Sequence, residues 1–309
     1  MCFTHSFWQL TISGLSDGFL YALIALGYTL VYGVLQLINF AHSEVFMSGG
    51  FGGLFAVQAV VDSNKTPHGV ASVMYVLLGV LVGALVGGAV AFVLERVAYR
   101  PLRRRNAPKL AFLISAIGAS LFLVNIAGKE FGRLAIPMPN LYTNGNVFSV
   151  FGAQVQTNFV VIAIAAALML IFLDRLVAKT RLGQGIRAVA QDADTASLMG
   201  VNIDRVISQT FVIGGLLGGA AGFLFGMVFN VQYNMGFTPG VKAFTAAVLG
   251  GIGNIRGAVL GGLLLGVVEN LGVSCVQSAW RDVIAFGILV LVLLFRPTGL
   301  LGERLGRSA

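Results

Sequence analysis

Apolar runs of about 20 residues, broken by short polar stretches and by clusters of arginine, constrain this chain more than any other feature. In a bilayer every backbone N–H and C=O needs a partner within the protein. Such runs can therefore only become helices or the strands of a closed barrel. These runs are continuous rather than alternating, which excludes the barrel. They fall at 15–36, 44–61, 70–94, 110–127, 158–173, 206–230, 243–272 and 283–295, about eight segments in all. The longest polar gaps, 128–157 and 174–205, are too short for a soluble domain. The expectation is an all-α polytopic transmembrane bundle, a single domain over 1–309.

Composition agrees. The chain is 57% hydrophobic and 10% charged, with mean hydropathy +0.89, where an ordinary globular domain carries roughly 25% charged residues. The 41 glycines are spread through the apolar segments rather than gathered in linkers. Small residues four apart, as in Gly79-Gly83-Gly87 and Gly214-Gly218-Gly222, let membrane helices approach closely. Chance placement is the competing explanation for either run. The two cysteines, Cys2 and Cys275, are too few for a disulfide scaffold or a metal site. The first Lys or Arg is Lys65, so no cleavable signal peptide is expected.

The net charge of +8 is a topology signal. Arg96, Arg100, Arg103, Arg104, Arg105 and Lys109 share one loop. Arg175, Lys179, Arg181, Arg187 and Arg205 share a second, and Arg296, Arg304 and Arg307 form the tail. By the positive-inside rule these regions are cytoplasmic, which argues against a nucleic-acid role. The opposite loops hold Lys65, Lys129, Arg133, Lys242 and Arg281, with Arg256 ambiguous. Alternation then puts the N-terminus outside and the C-terminus inside. It also forces 243–272 to enter and leave on the same, external side. A break at Gly250-Gly251-Ile252-Gly253-Asn254 predicts two short helices, 243–250 and 257–270, joined inside the membrane. The stretch 38–44 before Gly49-Gly50 is weakly echoed by 236–242 before Gly250-Gly251, the arrangement of an inverted-topology repeat.

Enzymatic chemistry finds no constellation. His5, His42 and His68 are far apart, and the single Gly-Lys pair, Gly128-Lys129, is followed by Glu130 rather than Ser or Thr. There is no P-loop, so no catalytic residue, metal or bound cofactor is expected. Two stretches carry functional hypotheses instead. Asn39, Phe40, His42 and Glu44 form a polar cluster between apolar segments, costly unless it serves a path. The alternative is a short cytoplasmic turn with Ser43 or Asn39 as helix cap. Gly236, Phe237, Thr238 and Pro239 stand before the second broken segment and would flank the same path from the other side. Half-helix ends at such a place could meet the charges of a zwitterion. The cytoplasmic stretch of about 179–205 reads as a docking platform. Gly185 and Asp192 bracket one short helix containing Arg187 and Ala188; Asp194 caps a second that ends at Gly200. An amphipathic loop resting on lipid headgroups is the bland alternative.

The combination of Ile38-Asn39-Phe40-Ala41-His42, Tyr99-Arg100-Pro101-Leu102-Arg103, Gly185-Ile186-Arg187-Ala188-Val189-Ala190, Met199-Gly200-Val201-Asn202, Gly250-Gly251-Ile252-Gly253-Asn254 and Arg296-Pro297-Thr298-Gly299-Leu300-Leu301-Gly302 resembles the LivH-like permeases. These are integral membrane subunits of bacterial branched-chain amino acid ABC transporters, and the resemblance covers nearly the whole chain. Ser43 departs from the family, which often has Gly there. The resemblance implies a second related permease, two cytoplasmic ATPase subunits that use the ATP, and an external substrate-binding protein. It also makes the stretch around 185–202 the ATPase contact. Relatives with these motifs also carry other amino acids, short amides and urea. An ion-coupled secondary transporter is the alternative of another class; it would need ionisable groups at the midplane. Glu44, Lys242 and Glu269 are the candidates, the first two expected near the surfaces.

Overall fold

The computed structural model describes residues 7–37, 39–61, 67, 69–142, 145–296 and 298–302. Cys2, His5, Ile38, Lys65, His68, Pro297, Arg304 and Arg307 lie outside the described residues.

In chain order, α1 is Phe7–Leu35, α2 His42–Gln58 and α3 Val70–Leu94, which continues through a π-turn at Glu95–Tyr99 into α4, Arg100–Arg104. Next come α5 (Lys109–Glu130), the strands β1 (Asn146–Val150) and β2 (Ala153–Gln156), and α6 (Thr157–Lys179). Two short helices, α7 (Arg181–Gln191) and α8 (Ala193–Leu198), precede α9 (Ile203–Phe229), α10 (Phe237–Gly250), α11 (Ile255–Cys275) and α12 (Arg281–Phe295). Among the described residues, 7 helices are long and apolar enough to cross a membrane. The expected count of about eight is thus not confirmed as full-length spans. Segment 44–61 becomes α2, only 17 residues long, and 243–272 divides into the short α10 and the span-length α11.

Ion pairs define one end of the bundle. Asp204, at the start of α9, meets Arg100, Arg103 and Arg104. Arg256 of α11 pairs with Asp174 near the end of α6, which places that ambiguous arginine at the same basic end. Gln36 donates to the Ala190 carbonyl there. The other end is tied by β2 to α1, where Gln9 exchanges hydrogen bonds with the Gln154 backbone and Trp8 stacks on Phe151. Phe151 and Gly152 both have positive φ, as a two-residue hairpin turn requires. The sequence held no signal for this hairpin, which with the isolated bridge between Ile136 and Val231 departs from an all-α chain.

α1 and α9 form the enclosed centre, while α5, α6 and α12 turn mostly exposed apolar side chains outward. Glycine lets the central helices touch. A Cβ at Gly219 would overlap the Gly83 carbonyl, and one at Gly222 the Phe46 carbonyl. Both small-residue runs therefore sit in helix contacts rather than by chance.

An inverted repeat organises these contacts. α1 packs along α11 and α3 along α9; α2 lies on α3 and α9, while α10 lies on α11 and α1. Exchanging α1, α2 and α3 with α9, α10 and α11 leaves this pattern unchanged. A non-glycine residue with positive φ ends each leading helix: Gln36 after α1 and Asn230 after α9. Each time the chain then doubles back into the bundle and starts a half-length helix.

As alternation demanded, α10 and α11 enter and leave at one end. Their turn, Gly251–Asn254, does not lie in mid-membrane as expected. It lies at the basic end, where Leu300 and Leu301 donate to the carbonyls of Leu249 and Gly250. Asn254 caps α11 by accepting from Gly257 N, and nothing interrupts α11 before Cys275. The interior discontinuity is instead the start of α10.

Candidate functional site

The two helix starts meet inside the bundle. α2 begins beside Gly27 of α1 and Gly218 of α9, where a Cβ on either would crowd the His42 imidazole. Gly27 is two turns before the end of α1 at the basic face, so α2 starts well inside the hydrocarbon. Asn39, His42, Ser43 and Glu44 are all buried, which removes the cytoplasmic-turn alternative. Neither Asn39 nor Ser43 caps α2. Asn39 Oδ1 accepts from the Tyr99 hydroxyl at 2.7 Å, and Ser43 Oγ donates to the Phe40 carbonyl at 2.6 Å. Glu44 Oε1 lies 3.2 Å from both Ser43 Oγ and Ser120 Oγ. His42 stands edge-on to Tyr28, with ring centroids 4.7 Å apart.

α10 begins against the same spot. A Cβ on Gly236 would overlap the Ser43 carbonyl, and one on Gly240 would lie 2.7 Å from Ser43 Cβ and 3.2 Å from the Tyr28 hydroxyl. Pro239 is buried, whereas Phe237 and Thr238 are exposed. Space opens on both sides of this joint. A cleft of about 360 Å³ lies toward the far end, reached by Asp17, Tyr21, Thr238 and Pro239. A gap of about 10 Å³ lies toward the basic end, between Tyr28, Tyr32, Asn39 and Phe244. The smaller is no larger than one water.

The candidate ionisable groups lie deeper than the sequence indicated. Glu44 and Lys242, expected near the surfaces, are both buried. Lys242 Nζ is 2.7 Å from Glu269 Oε1 and 2.8 Å from Asp282 Oδ1. Arg281 Nε is 3.3 Å from the same Glu269 oxygen. Four helices thus bring Asp17, Lys242, Glu269 and Arg281 together, which sequence spacing could not reveal.

At the basic end α7 and α8 form a small platform. Thr180 caps α7 by accepting from Gly183 N at 3.1 Å. α7 runs straight through Gly185, which is therefore not a break but a buried contact with Val206. Ile186 and Val189 anchor α7 in the core, while Arg187 reaches back to the Val177 carbonyl and Ala188 is half-buried. The cap of α8 is Asp192 rather than Asp194, because its Oδ1 accepts from Asp194 N at 2.9 Å and Thr195 N at 3.0 Å. Hydrogen bonds from Thr195 hold the Asp192 carboxyl below its ordinary range. α8 closes in a Schellman turn: Gly200 takes φ +86, and Val201 N donates to the Ala196 carbonyl. That turn leaves Leu198 and Met199 projecting, 86% and 82% exposed. Neither is among the candidate coupling residues read from the sequence, although two large apolar side chains before a helix-ending glycine were a visible signal.

Comparison with known proteins accounts for this architecture. Residues 10–293 match the family described as branched-chain amino acid transport system / permease component. The chain belongs to this family. The high-affinity branched-chain amino acid transport system permease protein BraD of Pseudomonas aeruginosa is 42% identical over 97% of both chains. The corresponding LivH protein of Escherichia coli K12 is 42% identical over 96% of both. A probable branched-chain amino acid transport permease protein LivM of Methanocaldococcus jannaschii is 23% identical, covering 92% of this chain and 91% of its own. In this permease family member, the sequence motifs fall where the structure is least like a plain helical bundle. Asn39–Glu44 and Gly236–Gly240 come together, the 185–202 stretch stands apart at the basic end, and Gly250–Asn254 makes the turn between α10 and α11.

Proposed function

We propose that this chain is the membrane-spanning permease subunit of an ATP-driven importer for branched-chain amino acids. The observation that carries the proposal is the meeting of α2 and α10 at Ser43 and Gly236, with a cleft on the far side of the joint and only a water-sized gap on the basic side. Helix N-termini present unpaired N–H groups and a partial positive charge. Two of them directed at one interior point suit the carboxylate of a passing zwitterion without burying a full side-chain charge. Asn39, Phe40, His42, Glu44, Gly236, Phe237, Thr238 and Pro239 line or frame this path.

The Arg-rich end faces the cytoplasm, the N-terminus is external and the C-terminus cytoplasmic. A second related permease completes the pore, and an external binding protein delivers substrate. Two ATPase subunits power the transporter, one of them docking on α7 and α8 of this chain, where Leu198 and Met199 offer an apolar tip; Gly185, Arg187, Ala188, Asp192, Asp194 and Gly200 shape and hold it. ATP is used by those subunits, and this chain binds no cofactor. Leucine uptake into proteoliposomes tests the reading. It should require ATP together with all the partners, and uptake driven by a proton or sodium gradient without ATP would overturn it.

A further inference from the structure

We propose that the 360 Å³ cleft at the far end is a holding site for an α-amino acid, in which Asp17 takes the ammonium and Arg281 the carboxylate. This rests on the transport reading above and adds a place where the substrate waits before the Ser43–Gly236 joint.

The cleft has the size of a small-molecule site, which spans roughly 300–1,000 Å³. Its polar groups are built rather than incidental. Asp17 is largely enclosed, with 15% of its side chain exposed. Asp17 Oδ2 is engaged by Asn270 Nδ2 at 3.0 Å and faces Arg281 Nη1 at 3.5 Å. Its second oxygen has no protein partner among the described residues. Arg281 is fixed by Nε at 3.3 Å from Glu269 and by Nη2 donating to Asn270 Oδ1 at 3.2 Å. That leaves Nη1 with the one long contact to Asp17. A carboxylate and a guanidinium nitrogen therefore stand side by side, each held from behind and each with bonding capacity left. An α-amino acid carries its ammonium and carboxylate on one carbon, and such a zwitterion matches two adjacent opposite charges. A lone amine or acid engages only one of them and forgoes the other contact.

The remaining wall accounts for the side chain. Leu20, Phe225, Phe229 and Met235 line the same cleft and offer an apolar surface for a branched aliphatic group. Lys242 is the less available cation: only 5% of its side chain is exposed, and Glu269 and Asp282 already occupy it. It positions Glu269, which in turn orients Arg281.

The test uses the complete transporter in proteoliposomes, with Asn234, an exposed residue of the cleft, replaced by cysteine in a Cys2→Ser, Cys275→Ser background. The rate of labelling by a charged methanethiosulfonate is measured with leucine, isovalerate or isoamylamine present. Leucine should slow labelling about fivefold, while the acid and the amine, each lacking one charge, should not. Asp17→Asn should raise the leucine concentration needed for half protection about tenfold. Phe225→Trp, which narrows the apolar wall without touching a charge, should weaken protection likewise and serves if the Asp17 variant does not assemble. Unprotected labelling in a transporter that takes up leucine overturns the holding site alone, as does equal protection by isovalerate. No uptake by the unmodified transporter overturns the transport reading, and the holding site with it.

Discussion

The Tyr99 hydroxyl donates to Asn39 Oδ1 at 2.7 Å, with both side chains buried, and so ties the end of the π-turn after α3 to the loop that starts α2. Tyr99→Phe leaves that Asn39 oxygen without its donor, at a cost of about 1–3 kcal/mol. The variant should insert normally and unfold at lower temperature in detergent. An unchanged melting temperature would show that the loop is held by packing alone.

Lys242 and Glu269 make a second buried link, between the start of α10 and the outer part of α11. Glu269→Leu leaves Lys242 facing only the half-exposed Asp282. Breaking one partner of a buried pair typically costs about 3–5 kcal/mol, and the surviving contact puts this case near the lower figure. The double variant Lys242→Met, Glu269→Leu should recover part of that loss, since Lys242 is then no longer stranded and only Arg281 still lacks Glu269. Equal instability of single and double variants would contradict the pairing.

Two glycines should differ in their tolerance of added bulk. Gly219→Leu inserts a side chain where the Gly83 carbonyl lies, at the contact of α9 with α3. Overpacking of this kind costs about 1–3 kcal/mol or more, so the yield of folded protein should fall. Gly118→Ala meets nothing within 4 Å and should change stability by less than about 0.5 kcal/mol. Fluorescence-detected gel filtration after heating compares the two directly.

The tip of α8 should govern coupling. Leu198→Ser with Met199→Ser removes two exposed apolar side chains without disturbing the Asp192 cap or the Gly200 turn. Membrane insertion should persist while uptake and co-purification of the ATPase subunits are lost. Ala188→Asp, which buries a charge beside the α7 anchor, should have the same outcome. Retained co-purification in both would relocate the docking surface.

The Asp192 cap carries a pH dependence. Its carboxyl titrates below the ordinary range in the folded protein. The cap therefore contributes in full above the ordinary carboxylate range and is lost only as pH falls through the lowered value. The protection factor for amide exchange over 193–200, which removes the intrinsic pH dependence of exchange, should be higher at neutral pH than under acid, and in Asp192→Ala it should be low throughout.

What the sequence determined by itself was everything that depends on local composition and alternation. Long apolar runs had to be helices because lipid offers the backbone no partners. Counting arginine clusters then required 243–272 to turn back, and Gly251, with φ +106, stands at that turn. The family was also legible, because its motifs are contiguous in sequence. Tertiary structure alone decided the depth of each start and stop. Nothing local to His42 says that it lies against Gly27 and Gly218 rather than at a membrane face. Nothing local to Gly185 says that Val206 covers it, so the helix runs on where a glycine suggested a break. The Asp17, Lys242, Glu269 and Arg281 cluster joins α1 to three helices more than 200 residues further along the chain. Sequence periodicity reports which face of one helix is apolar, whereas a charge becomes tolerable inside a membrane only through partners that other helices supply.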